Sequence, residues 1–144
     1  MLGVDLGARR IGLAVSDPLW ITAGPHGVLE RGGDVDGDHR AIVGAAREVG
    51  ASRIVVGLPR SLSGELGPAA LAVLEEVEAL VRHAGPDLLV DTWDERFTTV
   101  IAERSLAEAG VRGRRRRSRV DGVAAAVMLQ SYLAYVAGLP RRPE

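Results

Sequence analysis

Gly3-Val4-Asp5-Leu6-Gly7-Ala8-Arg9-Arg10-Ile11-Gly12-Leu13-Ala14-Val15 contains two apolar strands, around Leu2 to Leu6 and Ile11 to Val15, joined by a short turn at Gly7 to Arg10. Such spacing makes a hairpin. Asp5 is unusual within it, because an acid in an apolar strand must face solvent at the strand end or meet a partner that tolerates its charge. Two readings stay open: a turn-forming Asp that bonds the backbone of Gly7 or Ala8, or a metal ligand on a rigid strand.

Beyond the hairpin, a third extended segment is expected between Ile21 and Arg31. Gly32, Gly33 and Gly37 then mark a turn before a helix from about His39 to Val49, which Gly50 ends. Ile54 to Val56 is a short buried strand, and Gly57 to Gly67 reads as a loop. From Pro68, the positions Val73, Leu74, Val77, Leu80 and Val81 recur at helical spacing, with Glu75, Glu76 and Glu78 falling largely on the opposite face, until Gly85-Pro86. Leu88 to Thr92 is the next strand. Thr98 or Thr99 can cap a helix to about Ala109, the arginine run follows, and a last helix from about Val120 to Val136 is apolar nearly all round. This order predicts an α/β fold, a central mixed sheet flanked by helices.

The 144 residues, 47% of them apolar, suffice for one domain with a proper core, expected over residues 1–138 with a short tail at 139–144. Cysteine is absent, which removes disulfides, thiolate zinc sites and cysteine nucleophiles. The N-terminus lacks the basic flank and cleavage site of a signal peptide, and no apolar run reaches membrane-spanning length. The expectation is a soluble, cytoplasmic protein with no membrane partner.

The net charge of −1 hides a strong local asymmetry. All 18 basic residues are arginine, and Arg112, Arg114, Arg115, Arg116, Arg117 and Arg119 crowd into one short stretch. A bare run of this kind is commonly a solvated, repulsive block. Lying directly before Asp121, it can instead neutralise phosphates and hold a polynucleotide over an acid. Glu95, between a buried strand and a helix, and Asp121, at a helix start, each have a plain reading as acids favoured by the helix dipole. Together with Asp5 they are more specific, since magnesium or manganese takes several carboxylate oxygens and can assist phosphoryl transfer. The stretch Val55 to Gly64 is a loose match to a phosphate-cradling loop and lacks its lysine. It reads first as a structural turn, or else as a groove wall carrying Arg60. His26, His39 and His83 lack zinc spacing and read as surface residues, Ser16 and Ser61 lack a relay, and Trp20 and Trp93 read as packing residues.

Gly3 to Asp17, then Val55-Val56-Gly57-Leu58-Pro59, then Asp94-Glu95-Arg96-Phe97-Thr98-Thr99, then Val120-Asp121-Gly122-Val123-Ala124-Ala125 with Leu129-Gln130, resemble the YqgF family, also called RuvX. The four motifs run in order along nearly the whole chain. The resemblance implies an RNase H-like fold with a five-stranded sheet, and a catalytic and metal-binding set of Asp5, Glu95 and Asp121 holding Mg2+ or Mn2+. It also matches Arg9, Arg10 and Arg96 to motif arginines, Arg96 with an ion-pair role as the alternative. Arg9, Arg10, Arg60, Arg114, Arg115, Arg116 and Arg117 are the expected nucleic-acid contacts. Members are described as Holliday-junction resolvases and, alternatively, as nucleases that mature the 5′ end of pre-16S ribosomal RNA. The expected partner is therefore structured RNA or branched DNA, bound by a monomer or a homodimer. Many RNase H-like proteins carry a fourth acid one turn beyond the third. Here Ala124 and Ala125 stand there, leaving Asp94 or Asp17 to help, or a site that holds one ion firmly and a second only with substrate. Competing readings are a phosphate-binding hairpin of the actin and sugar-kinase type, disfavoured by size, and a non-catalytic RNA-binding module.

Overall fold

Both faces of the central strands are covered by helices, and this is why their sequences are almost continuously apolar instead of alternating. A computed structural model describes residues 1–60, 63–95 and 114–138, the last span without the side chains of 114–121. The elements are β1 (Leu2–Leu6), β2 (Arg10–Ser16), β3 (Ala23–Glu30), α1 (Val35–Glu48), β4 (Arg53–Leu58), α2 (Pro68–Ala84), β5 (Leu89–Asp94) and α3 (Arg114–Ala137). The sheet order is β3-β2-β1-β4-β5. β1 pairs antiparallel with β2, and β2 with β3, while β1, β4 and β5 run parallel, so the expected five-stranded mixed sheet is observed. The helix expected between Thr98 and Ala109 and the tail at 139–144 lie outside the described residues.

Alternation along β1 and β4 divides the interior into two cores. Leu2, Val4, Ile54, Val56 and Leu58 face α1 and α2, where they meet Ile42, Val43, Val73 and Leu80. Met1, Ala14 and Val55 face the other way and pack on Ala125, Met128, Leu129 and Leu133 of α3. α3 lies very close to the sheet at Gly3: a Cβ there would stand 3.0 Å from the Leu129 Cβ and 3.3 Å from the Ala125 carbonyl oxygen. Gln130 fixes the helix laterally, its Oε1 accepting from Ala23 N–H and its Nε2 donating to the Ile21 carbonyl. α3 is not buried on all sides, since Ala134 and Tyr135 are exposed.

Several boundaries differ from the sequence expectation. α1 starts at Val35, before His39, because the Asp34 carboxylate accepts from Asp36 N–H and caps the helix there. β4 runs on to Leu58, so Gly57 is strand and not loop. α3 starts at Arg114, well before Val120. The arginines thus form its first turns, which their good helix propensity allows, and Asp121 lies within the helix and not at its start.

Two residues read as surface are interior. His39 is only 2% exposed, and Glu76 turns inward between α1 and α2. Arg31 forks onto Glu76 at 2.9 and 3.0 Å, His39 Nε2 lies 2.9 Å from Glu76 Oε1, and Asp38 stands 3.5 Å from Arg31. Arg31 also donates through Nε to the Gly7 carbonyl, and through its backbone N–H to the Arg9 carbonyl. Burial alone would raise the Glu76 pKa. Hydrogen bonds and charge from Arg31 and His39 outweigh it and hold the carboxyl below its usual range.

Glu76→Ala strands Arg31 in a largely buried place and should cost about 2–3 kcal/mol at pH 7, whereas Glu75→Ala on the exposed face should cost under about 0.5 kcal/mol. Because the folded pKa of Glu76 is depressed, its contribution is present above the unfolded pKa and lost as pH falls through the folded one. Urea denaturation of both variants should therefore separate them at pH 7, and the gap between Glu76→Ala and wild type should narrow as pH falls below the ordinary carboxylate range. Equal losses at pH 7 would refute the buried network.

Candidate active site

Three parallel strands end at the same edge of the sheet, and at that edge the acids gather. Asp5 shares the parity of Met1 and Gly3, so its side chain rises on the α3 face near the end of β1. The N–H of Gly7 is spent on the carbonyls of Asp5 and Arg10, so the turn is closed by backbone and does not use the Asp5 carboxylate for that amide. Glu95 follows the last residue of β5. Its side chain folds back across β4 to lie over Gly57 and hydrogen-bonds the Asp5 carboxyl.

That arrangement raises the Glu95 pKa to about 7. The causes, in order, are burial, the charge of Asp5, the hydrogen bond to Asp5 and the charge of Asp94. Near neutral pH, then, the pair shares a proton: Glu95 donates and Asp5 accepts. Among the described residues no three His, Asp or Glu side chains gather as a cation site. Asp121, whose side chain lies outside the described residues, sits one turn before Ala125 on the row that continues to Leu129 over Gly3. The helix direction is fixed by Gln130 at the Ile21–Ala23 end and by Gly122 against Pro25 and Gly27. Position 121 consequently lies toward the Asp5 end of the sheet.

The other sequence candidates divide. Arg9 is exposed on the β1–β2 turn, and Arg60 is exposed just after β4, both at the edge where the acids lie. Arg10 is paired at 3.2 Å with Glu30 across the β2–β3 ladder. Arg114, Arg115, Arg116 and Arg117 form the start of α3, with side chains outside the described residues, and Arg96 lies outside them entirely. Asp17 is remote: it follows β2 at the Met1 end, and its carboxylate caps the N–H groups of Ile21 and Thr22. Asp94 acts on Glu95 through its charge. His26 is exposed as expected, and His83 sits 2.8 Å from Asp36. Ser16 Oγ accepts from the N-terminal ammonium at 2.8 Å. Trp93 packs edge-on against Tyr132 at 5.7 Å, and the Arg53 guanidinium lies 5.7 Å over the Trp20 ring, both consistent with packing roles. Sequence reasoning missed Gly57 as a site residue. The available signal was a glycine inside an otherwise apolar run, Ile54 to Leu58.

A family model described as "RuvX: Holliday junction resolvase" matches residues 1–135. The chain belongs to the RuvX family. A protein of Mycobacterium sp. (strain KMS) named "Putative pre-16S rRNA nuclease" is 43% identical over 92% of this chain and 78% of its own length. One of the same name from Mycobacterium tuberculosis (strain CDC 1551 / Oshkosh) is 45% identical over 92% and 76%. Among solved structures, Thermus thermophilus RuvC in complex with a Holliday junction substrate superposes with a TM-score of 0.56 at 16% identity, covering 95% of this chain and 94% of that one. Fowlpox virus resolvase in complex with Holliday junction DNA gives 0.52 at 10% identity, covering 94% and 99%. At these identities the likeness concerns the fold, which is RNase H-like as the sequence resemblance implied. No helix among the described residues of this RuvX-family chain is long and apolar enough to cross a membrane.

The raised Glu95 pKa has a sign that can be checked. With the folded pKa about 7 and the reference value 4.5, the folded state holds the extra proton between these limits, so stability in metal-free buffer falls as pH rises through that window. Glu95→Gln removes this charge. In EDTA its Tm should exceed that of wild type at pH 8, and the gain should shrink toward pH 5. A gain independent of pH would contradict the shared-proton pair.

Proposed function

We propose that this RuvX-family protein is a metal-dependent nuclease acting on structured nucleic acid, with 5′-end maturation of pre-16S ribosomal RNA as the favoured activity. Asp5, Glu95 and Asp121 are the proposed catalytic and metal-binding acids. The observation that carries the proposal is the Asp5–Glu95 pair, two carboxyl groups hydrogen-bonded at the edge where β1 and β5 end, with Glu95 at a pKa of about 7. Such a pair offers only oxygen donors. Hard divalent cations bind through carboxylate oxygens, so the donor set fits Mg2+ or Mn2+. When bound, such an ion supplies the charge that lowers the pKa of an attacking water and steadies the leaving oxygen of a phosphodiester.

The chain's own residues do the rest. Asp5 is carried on a strand packed on both sides, which fixes its oxygens relative to the sheet. Glu95 gives up its shared proton when positive charge arrives, so ion binding should be tighter at pH 8 than at pH 6. Arg9 and Arg60, exposed at the same edge, are proposed to hold the phosphate backbone, together with Arg10 and with Arg114, Arg115, Arg116 and Arg117 at the start of α3. Arg10 must exchange Glu30 for phosphate, and that surface pair is weak enough to permit it. The cytoplasm, where ribosomal precursors are processed in bacteria, is the proposed location.

A second substrate reading is favoured by the family description and by the junction complexes among the structural neighbours: four-way DNA junctions. A resolvase cutting symmetrically needs two sites, so it requires a dimer with paired acid edges, while rRNA maturation is open to a monomer.

The test is cleavage of end-labelled pre-16S RNA and of a synthetic four-way junction with Mn2+ or Mg2+. Wild type should cut the RNA, and Asp5→Asn should lower the rate by at least about a hundredfold, about 2.7 kcal/mol of transition-state stabilisation. Preferential junction cutting would transfer the proposal to the resolvase reading. Salt-sensitive RNA binding without cleavage, unchanged in Asp5→Asn, would replace it with a non-catalytic RNA-binding module.

A further inference from the structure

Gly57 lies in the middle of the sheet, on a strand flanked on both sides, and is buried. Glycine weakens such a strand, because it loses more conformational entropy on folding and offers no side chain to pack. Backbone geometry does not require it, since Gly57 is not among the glycines with positive φ. The turn reading of the sequence fails as well, because the residue pairs in register with Trp93. What distinguishes the position is the space above it. A Cβ built there would meet Glu95 Oε1 at 2.5 Å, Cγ at 3.1 Å and Cδ at 3.2 Å, and these are its three nearest neighbours. Gly57 is also level with Asp5, since β1 and β4 pair Val4 with Val56, one residue earlier on each strand.

We infer that Gly57 is a positioning residue, a backbone floor whose missing side chain admits the Glu95 carboxylate beside Asp5. This deepens the metal-site reading and rests on it for its functional consequence. Glu95 starts from the end of β5 and Asp5 stands on β1, so one strand, β4, separates them. The Glu95 side chain bridges that gap only by lying flat across β4. Any Cβ at 57 occupies the place of its carboxylate. Because the obstructed atoms belong to a flexible side chain and not to backbone, the chain still folds with alanine at 57, and the displaced group is the Glu95 carboxylate. The main chain of β4 stays where it is, held by ladders on either side.

The experiment uses the full chain as wild type, Gly57→Ala, Glu95→Ala and the double variant. Mn2+ binding is measured by calorimetry, thermal stability in EDTA, and the place of Glu95 from a crystal structure of Gly57→Ala. Gly57→Ala should show Glu95 swung away from Asp5 over an unmoved β4, and should weaken Mn2+ binding at least tenfold. In the Glu95→Ala background, the same substitution should change affinity less than twofold. Glu95 in its original place in Gly57→Ala, with unchanged Mn2+ affinity, would overturn the inference. So would a Gly57→Ala chain that unfolds and is not rescued by Glu95→Ala, since the glycine would then serve the sheet itself. Wild type that binds no Mn2+ would sink the metal-site reading alone. The crystal structure of Gly57→Ala would still decide the positioning role by whether Glu95 moves.

Discussion

Two carboxyl groups pressed together at the edge of a buried sheet are unfavourable by themselves, and much of the surrounding structure serves to keep them there. Asp5 and Glu95 come from strands separated by β4, and each is held by an element that cannot easily yield. β1 is locked between β2 and β4, with cores on both faces. Glu95 starts where the β5 ladder against β4 ends at Asp94. With Glu95 lying across β4 beside Asp5, burial first and the Asp5 charge second favour the protonated carboxyl, as the upward shift of Glu95 records. A cation would relieve the repulsion more completely, and a proton and a cation would then compete for the same oxygens.

Support for this edge extends to the far side of the sheet. The β1–β2 turn follows Asp5 directly, and Arg31 ties it down by donating to the Gly7 carbonyl from its side chain and to the Arg9 carbonyl from its backbone. Arg31 is in turn gripped by Glu76 of α2, which His39 of α1 also contacts. A chain of charge-assisted hydrogen bonds therefore runs from the interface of α1 and α2 to the turn that carries Arg9. The turn gains rigidity from a network that contributes no atom to the acid pair. That gives a physical reason for placing an ionic cluster in a region where apolar side chains could have packed equally well.

How much of this was legible in the sequence depends on the range of the interaction concerned. The hairpin around Asp5, the helix from Pro68 and the mixed sheet follow from local periodicity and turn residues, and these were readable. Asp5 and Glu95 were readable as acids at strand ends, because burial of charge is penalised wherever it occurs. His39 and Glu76 were not, since each looks like a surface residue until a partner distant in sequence, Arg31 for Glu76 and Glu76 for His39, makes burial tolerable. The start of α3 was misplaced because a run of arginines looks like a repulsive block, although arginine is a good helix former. Gly57 was hidden for a different reason: a glycine two residues before Pro59 reads as the start of a loop, and only the path of Glu95 across β4 shows why a side chain is absent.

Gly3 and Gly57 bear on a single geometric problem, to bring groups from α3 and from the end of β5 down onto β1 and β4. At Gly3 the missing side chain lets Leu129 and Ala125 approach β1, which lowers α3 onto the sheet. At Gly57 it lets Glu95 lie across β4. Both glycines lie on the same face, in neighbouring strands, close to Asp5. Strand stability would be better served by valine at either place. Valine at 3 would lift α3, and with it the turn that carries position 121, while valine at 57 would exclude Glu95 from Asp5. The same sheet can thus be stabilised only by separating the acids, so the weakest β-formers in β1 and β4 stand where close approach matters most.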